Sequence, residues 1–178
     1  MEEMRPGRRP VVVKICGLTN WEDSLVAMRA GADFLGFICA ESSPRYIPPT
    51  TVRDIVRRLR QETAGPVPYT VGVFVNASAE TVKAVLAITG LDYGELAGEE
   101  TPAVLQALGR QAYKKLHPHA AEEADADAGW YAPLAPRGKH APKVLIDAYH
   151  PDLYGGRAVQ INWEIQRYLT EQRFKIVM

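Results

Sequence analysis

The chain is poor in the features that settle a compartment or partner at a glance. Its 178 residues include only two cysteines, Cys16 and Cys39. That is too few for a disulfide framework, and their spacing is not that of zinc ligands. A reducing cytoplasm is therefore the expected setting. Neither charge predominates: Lys+Arg and Asp+Glu are balanced at 21 each. No long-range field favours nucleic acid or an anionic membrane, and any charged ligand has to be recognised locally. The longest apolar runs, such as residues 11–13, fall far short of a membrane span. No GxGxxG or GxxxxGK[ST] follows the first strand-like segment, which removes the easiest nucleotide-binding readings. Residues 1–10 carry Arg5, Arg8 and Arg9 but lack the apolar stretch of a signal peptide. They read as a flexible tail, leaving residues 11–178 as one domain, too short to divide into two ordinary ones.

What is present is a globular composition, 47% hydrophobic and 24% charged, arranged as alternating strand-like and helix-like segments. Residues 11–16 form a short β-branched run, expected to be a strand buried on both faces. Gly17 ends it. Thr19 or Asn20 caps a helix with Leu25, Val26 and Met28, which Gly31 stops. Residues 34–39 read as a second strand. After a loop comes a helix with Val52, Ile55, Val56 and Leu59 on one face and arginines on the other. Residues 69–75 read as the third strand, and Ser78 caps the helix after it. Residues 91–97 follow as a fourth strand whose apolar character Asp92 and Glu95 interrupt. A helix over 101–108 leads to a fifth strand over 112–117. The pattern blurs across 118–142, where the composition suits a long surface loop holding a short helix near 120–128. Residues 143–147 form a sixth strand. A glycine-containing loop over 154–159, a helix over 162–169 and a seventh strand over 174–178 complete the series. Such alternation implies parallel strands joined by right-handed crossovers. By itself it leaves two folds open, a doubly wound sheet and a closed barrel.

Four motifs bear on that choice. They are Lys14-Ile15-Cys16-Gly17-Leu18-Thr19 with Glu22-Asp23, and residues 31–38 leading to Ser43-Pro44-Arg45-Tyr46-Ile47. Then come Val71-Gly72-Val73-Phe74-Val75, and Leu145-Ile146-Asp147-Ala148 with Tyr154-Gly155-Gly156 and Trp163. In order and spacing they resemble the phosphoribosylanthranilate isomerase family across nearly the whole chain. The resemblance implies an α/β fold of the (β/α)8 TIM-barrel type. It also implies an Amadori rearrangement of N-(5-phosphoribosyl)anthranilate in tryptophan biosynthesis, a small phosphorylated substrate, and no metal or organic cofactor. Opening the furanose ring requires a proton on the ring oxygen, and the resulting Schiff base must lose its C2′ proton, so one acid and one base are needed. The resemblance makes Asp147 the acid and Cys16 the base, both at the C-terminal ends of strands where barrel active sites are built. Strand alternation puts Lys14 on the same side as Cys16. Arg45 is expected to hold the anthranilate carboxylate by paired hydrogen bonds, and Lys14, Glu95, Gly155 and Gly156 complete the expected binding set. The bland readings are a packed core thiol for Cys16, a turn or capping residue for Asp147 and a surface side chain for Arg45. Cys39 is read as packing.

The sequence also departs from the family pattern. Glu95 and Ala97 stand where a glutamine and a histidine are usual, and a carboxylate there is expected to repel an anionic substrate unless it is protonated or points elsewhere. Arg157 follows Gly156 where the family favours Thr-Gly, and the fifth strand ends Lys115-Leu116-His117-Pro118 where Lys-Ala is usual. The chain stops at Met178, where the family's phosphate-binding loops after the last two strands would begin. The expectation is a barrel lacking its last one to two βα units, with an exposed strand edge that favours association. Its explanations are a truncated gene, a fragment completed by another chain, or a degenerate paralogue. The alternative to the isomerase is a non-catalytic or divergent paralogue that binds another phosphorylated sugar.

Overall fold

The computed structural model describes residues 12–62, 65–138, 141–147 and 176–177. Its elements are β1 (Lys14–Cys16), α1 (Trp21–Arg29), β2 (Phe34–Ile38), α2 (Pro49–Glu62), β3 (Tyr69–Phe74), α3 (Ala79–Thr89), β4 (Tyr93–Leu96), α4 (Pro102–Ala107), β5 (Ala112–Leu116), α5 (Ala121–Tyr131), β6 (Val144–Ile146) and β7 (Ile176–Val177). The expected tail, the loop over 154–159 and the helix over 162–169 lie outside the described residues. Among the described residues, no helix is long and apolar enough to cross a membrane.

All seven strands lie in one parallel sheet, and their spatial order is their order in the chain. A doubly wound sheet reverses its strand order at a switch point and carries helices on both faces. Among the described residues neither happens. Strand residues alternate between two faces, and one face meets all five helices. Leu35, Phe37, Phe74, Leu96 and Ala112 join Val52, Val56, Leu59, Val82 and Leu105 in the main core. Leu116, Val144 and Ile146 continue that face against Ala124 and Ala128 of α5. Helices on a single face, with strands added always on the same side, are the winding of a barrel wall.

The other face is the one a barrel encloses. Phe34, Val71, Tyr113 and Leu145 are buried there with Tyr93 packed against them. At the N-terminal level Phe34 stacks on Tyr69 at 5.4 Å and Tyr69 meets Tyr93 at 5.6 Å. Aromatic rings thus fill the floor, and the polar residues of this face stand above them.

Local chemistry explains most element boundaries. Asn20 caps α1 by accepting the Asp23 N–H, and Ser78 caps α3 by accepting that of Thr81. α3 ends at Gly90 in the left-handed conformation. Asp92, which breaks the apolar run before β4, accepts the backbone N–H and hydroxyl of Thr70 at 2.7 and 2.8 Å and is paired with Arg60 at 3.1 Å.

Two expectations need correction. β1 begins at Lys14, with Val12 and Val13 before it and Val11 outside the described residues, and it is not buried on both faces: Val12, Val13 and Ile15 are 37–41% exposed. The Val13 N–H is taken by the Asp33 carboxylate at 2.8 Å instead of a strand carbonyl, and β1 pairs only with β2 among the described residues. The short helix expected near 120–128, within the loop-rich segment over 118–142, runs on to Tyr131. α5 spans Ala121–Tyr131, with the alanines Ala124 and Ala128 fully buried against β5 and β6. Small side chains let this helix sit close to the sheet, and its alanine-rich sequence leaves little of the amphipathic stripe by which a helix is usually read.

Candidate active site

The polar side chains on the enclosed face gather toward the C-terminal ends of the strands, in two linked groups. The first is built on β1 and β4. Lys14 and Cys16 lie two residues apart on one strand and so point the same way, and Lys14 Nζ stands 3.4 Å from Cys16 Sγ. The same ammonium donates to Glu95 Oε2 at 2.6 Å, both side chains being 3% exposed. Tyr113, rising from β5, donates its hydroxyl to that oxygen at 2.7 Å.

The thiol has room because of a glycine. Cys16 is in register with Gly36 on β2, and a Cβ on Gly36 would lie 2.6 Å from Cys16 Sγ. Gly17 turns the chain away from β1 at φ +87°, and a Cβ there would lie 2.2 Å from Arg45 Nη1. Arg45 therefore lies flat over Gly17 and donates to the Cys16 carbonyl at 3.2 Å. The guanidinium and the thiol are neighbours at one corner of the site.

The second group is built on β5 and β6. Lys115 Nζ lies 2.5 Å from Asp147 Oδ2, with side chains 10% and 31% exposed. Asp147 follows β6, and its N–H extends the ladder to Leu116 O at 2.9 Å. Cys16 and Asp147 thus occupy the same end of a parallel sheet and lie on the same face. The Lys115 charge also acts on Glu95, which connects the two groups.

Electrostatics fixes the state of the centre. Burial alone would push the Glu95 carboxyl up, but the Lys14 ammonium and hydrogen bonds from Lys14 and Tyr113 outweigh it, and Glu95 sits below the usual carboxylate range. Burial likewise opposes charge on Lys14, yet Glu95 and Cys16 raise it above the ordinary lysine value. Tyr113 is pushed well up by burial and by the carboxylate it serves, and so remains a donor. Glu95 is accordingly ionised and neutralised in place, so the repulsion expected from it is cancelled by Lys14.

His117 carries a signal that the sequence showed only as a departure from Lys-Ala. Its Nε2 is buried with no hydrogen-bond partner among the described residues. Burial, reinforced by Lys115, lowers its pKa, while Asp147 pulls the other way. It lines a cavity of about 310 Å³ at the ends of β4 and β5, together with Lys115, Glu99, Glu123, Asp127 and Tyr131. That cavity adjoins the Lys115–Asp147 pair but does not include Cys16 or Arg45 among its lining residues. Lys114, pointing to the helix side of β5, is buried against Glu100 at 3.1 Å and belongs to the wall. Cys39 is packed among apolar residues, and burial pushes its thiol up to about 12. Gly155 and Gly156 lie outside the described residues. Among those described, no three His, Cys, Asp or Glu side chains converge closely enough to hold a metal ion.

The chain is similar in sequence and in fold to known proteins. Residues 13–177 match the family described as N-(5′-phosphoribosyl)anthranilate (PRA) isomerase. The N-(5′-phosphoribosyl)anthranilate isomerase of Citrifermentans bemidjiense is 38% identical over 152 residues, 85% of this chain and 67% of that protein. The chain spans about two thirds of the length of the curated relatives it matches. The crystal structure of phosphoribosyl anthranilate isomerase from Thermotoga maritima superposes with a TM-score of 0.75 at 27% identity, covering 94% of this chain and 77% of that one. A phosphoribosyl anthranilate isomerase solved in complex with reduced 1-(o-carboxyphenylamino)-1-deoxyribulose 5-phosphate superposes at 0.71 with 26% identity, over 94% of this chain and 74% of that one.

Proposed function

The chain belongs to the N-(5′-phosphoribosyl)anthranilate isomerase family, and from that premise we propose that it catalyses the Amadori rearrangement of N-(5-phosphoribosyl)anthranilate to 1-(2-carboxyphenylamino)-1-deoxyribulose 5-phosphate without a metal or organic cofactor. The observation that carries this reading is the placement of a lysine-flanked thiol, Cys16, and a lysine-paired carboxylate, Asp147, at the same end and on the same face of one parallel sheet.

In this reading the Asp147 side of the site protonates the ring oxygen as the C–O bond breaks, giving the open Schiff base. Because Lys115 touches the carboxylate, the acid is an Asp147–Lys115 pair and not a lone carboxyl group in an apolar pocket. The Cys16 thiolate then removes the C2′ proton, and the electron pair moves toward nitrogen to give the enol-amine, which tautomerises to the ketone. Arg45, beside Cys16, receives the anthranilate carboxylate, where a fork of N–H donors matches two oxygens. It presently donates to the Cys16 carbonyl, a neutral acceptor that a carboxylate would outcompete. The fluorescence of phosphoribosylanthranilate tests the proposal: this polypeptide should consume the compound, with Arg45→Ala weakening the reaction. No consumption at any enzyme concentration would leave a binding paralogue as the better reading.

A further inference from the structure

We propose that Glu95 is a positioning residue: it fixes the Lys14 ammonium against Cys16 Sγ and thereby sets how readily the thiol becomes a thiolate. Its catalytic meaning rests on the reading of Cys16 as the base, but the positioning can be measured without turnover.

The geometry leaves Glu95 little else to do. Its Oε2 already accepts from Lys14 at 2.6 Å and from Tyr113 at 2.7 Å, and the side chain is 3% exposed. A substrate group would have to displace a buried ion pair to reach that oxygen. Lys14, for its part, has a short buried bond on one side and a longer contact to sulfur, 3.4 Å, on the other. An ammonium with rotatable donors and a flexible stem does not stay in an enclosed site by itself. It needs a counter-charge to remain protonated and a fixed acceptor to remain aimed, and Glu95 supplies both. Tyr113 in turn holds the carboxylate still.

Removing the carboxylate charge therefore acts on sulfur through lysine. Burial is the largest influence on Lys14 and opposes its charge. Without Glu95, the amine loses its proton or turns away, and the thiol loses the cation beside it. Among the described residues, Arg45 at the Cys16 carbonyl and Tyr113 across the face then remain; neither is placed as Lys14 is.

The experiment measures iodoacetamide alkylation of Cys16 against pH in a Cys39→Ala background, with thermal melts confirming folding. Glu95→Gln should move the pH midpoint of alkylation up by about one unit or more, the scale of losing an opposite charge at this range. Lys14→Met should move it by a similar amount, and Lys14→Met/Glu95→Gln no further than Lys14→Met alone, since both act through one ammonium. Should Glu95→Gln prove unable to fold, the Lys14→Met/Glu95→Leu pair, which removes both charges of the buried pair, keeps the question open to measurement: its midpoint should match that of Lys14→Met. A midpoint unchanged or lowered in Glu95→Gln, or additive shifts in the double variant, overturns the proposal. If the midpoints shift as stated while Cys16→Ala still isomerises, the positioning stands and the assignment of Cys16 as base falls.

Discussion

Lys115 Nζ lies 2.5 Å from Asp147 Oδ2, so the carboxylate proposed as the acid is held by a cation at the mouth of the sheet. Asp147→Asn keeps the shape, discards the proton donor and leaves Lys115 without its counter-ion. It should lower kcat by roughly 10²–10⁴-fold, the usual range for losing a general acid or base, with a much smaller change in KM. Cys16→Ala should do the same. Steady-state kinetics on the two variants decides both assignments, and wild-type kcat from either removes that residue from the mechanism.

Arg45 and Gly17 act as one unit. Arg45→Ala should raise KM by about 10–100-fold, equivalent to about 1.5–3 kcal/mol for a hydrogen bond to a charged group, with kcat little altered. Gly17→Ala should reproduce the binding defect without touching the guanidinium, because its Cβ occupies the place of Arg45 Nη1. It should also cost about 1–3 kcal/mol of stability from the left-handed backbone. A Gly17→Ala variant with normal KM would mean that Arg45 does not bind from the position it holds here.

His117 gives stability an acid limit. Its folded-state pKa is lowered, first by burial and then by Lys115, so the unfolded chain binds its proton more tightly than the folded one. Stability on this account is fully present above the unfolded value, about 6.5, and is lost as pH falls from there through the folded value. Urea unfolding at a series of pH values should show this loss in the wild type and a shallower one in His117→Phe. Parallel slopes for the two proteins would show that other groups govern the acid limb.

Glu100 anchors the wall behind β4 and β5. It accepts the N–H groups of Asn76 and Gly98 at 2.7 and 2.9 Å and pairs with Lys114 at 3.1 Å, with 2% and 6% of the two side chains exposed. Glu100→Ala leaves a buried ammonium with only the Leu96 and Gly98 carbonyls and no counter-charge, and leaves two backbone donors without their acceptor. The expected cost is about 3–5 kcal/mol, as for breaking other buried pairs from one side, read as a lower urea midpoint. A loss below about 1 kcal/mol, the size for an exposed pair, would show that the Leu96 and Gly98 carbonyls hold Lys114 without the carboxylate.

The alternation of strands and helices was legible because it is written locally, in apolar periodicity and in caps such as Asn20 and Ser78. The choice of barrel wall over doubly wound sheet came from motif resemblance and is supported by the described helices, which all pack on one face. The sequence also put Lys14 beside Cys16, since two residues on one strand share a face. It missed what neutralises Glu95, because Lys14 lies 81 positions away and meets it only across the enclosed face. The Lys115–Asp147 pair was hidden likewise: strand pairing brings the two side chains together, and neither residue's neighbours announce it. The full extent of α5, beyond the short helix read near 120–128, was obscured by alanines that bury fully without being strongly apolar.

Strand order equal to chain order has a consequence for how such a molecule is made. Among the described residues each strand's first partner is the strand just before it, so these pairings do not wait for a distant segment, and from β1 to β6 every loop to be closed spans one helix and its turns. During synthesis each newly emerged strand–helix unit finds its docking edge already present. The active-site corner at β1 and β2, with Cys16 over Gly36 and Arg45 over Gly17, can therefore be in place before Asp147 has left the ribosome.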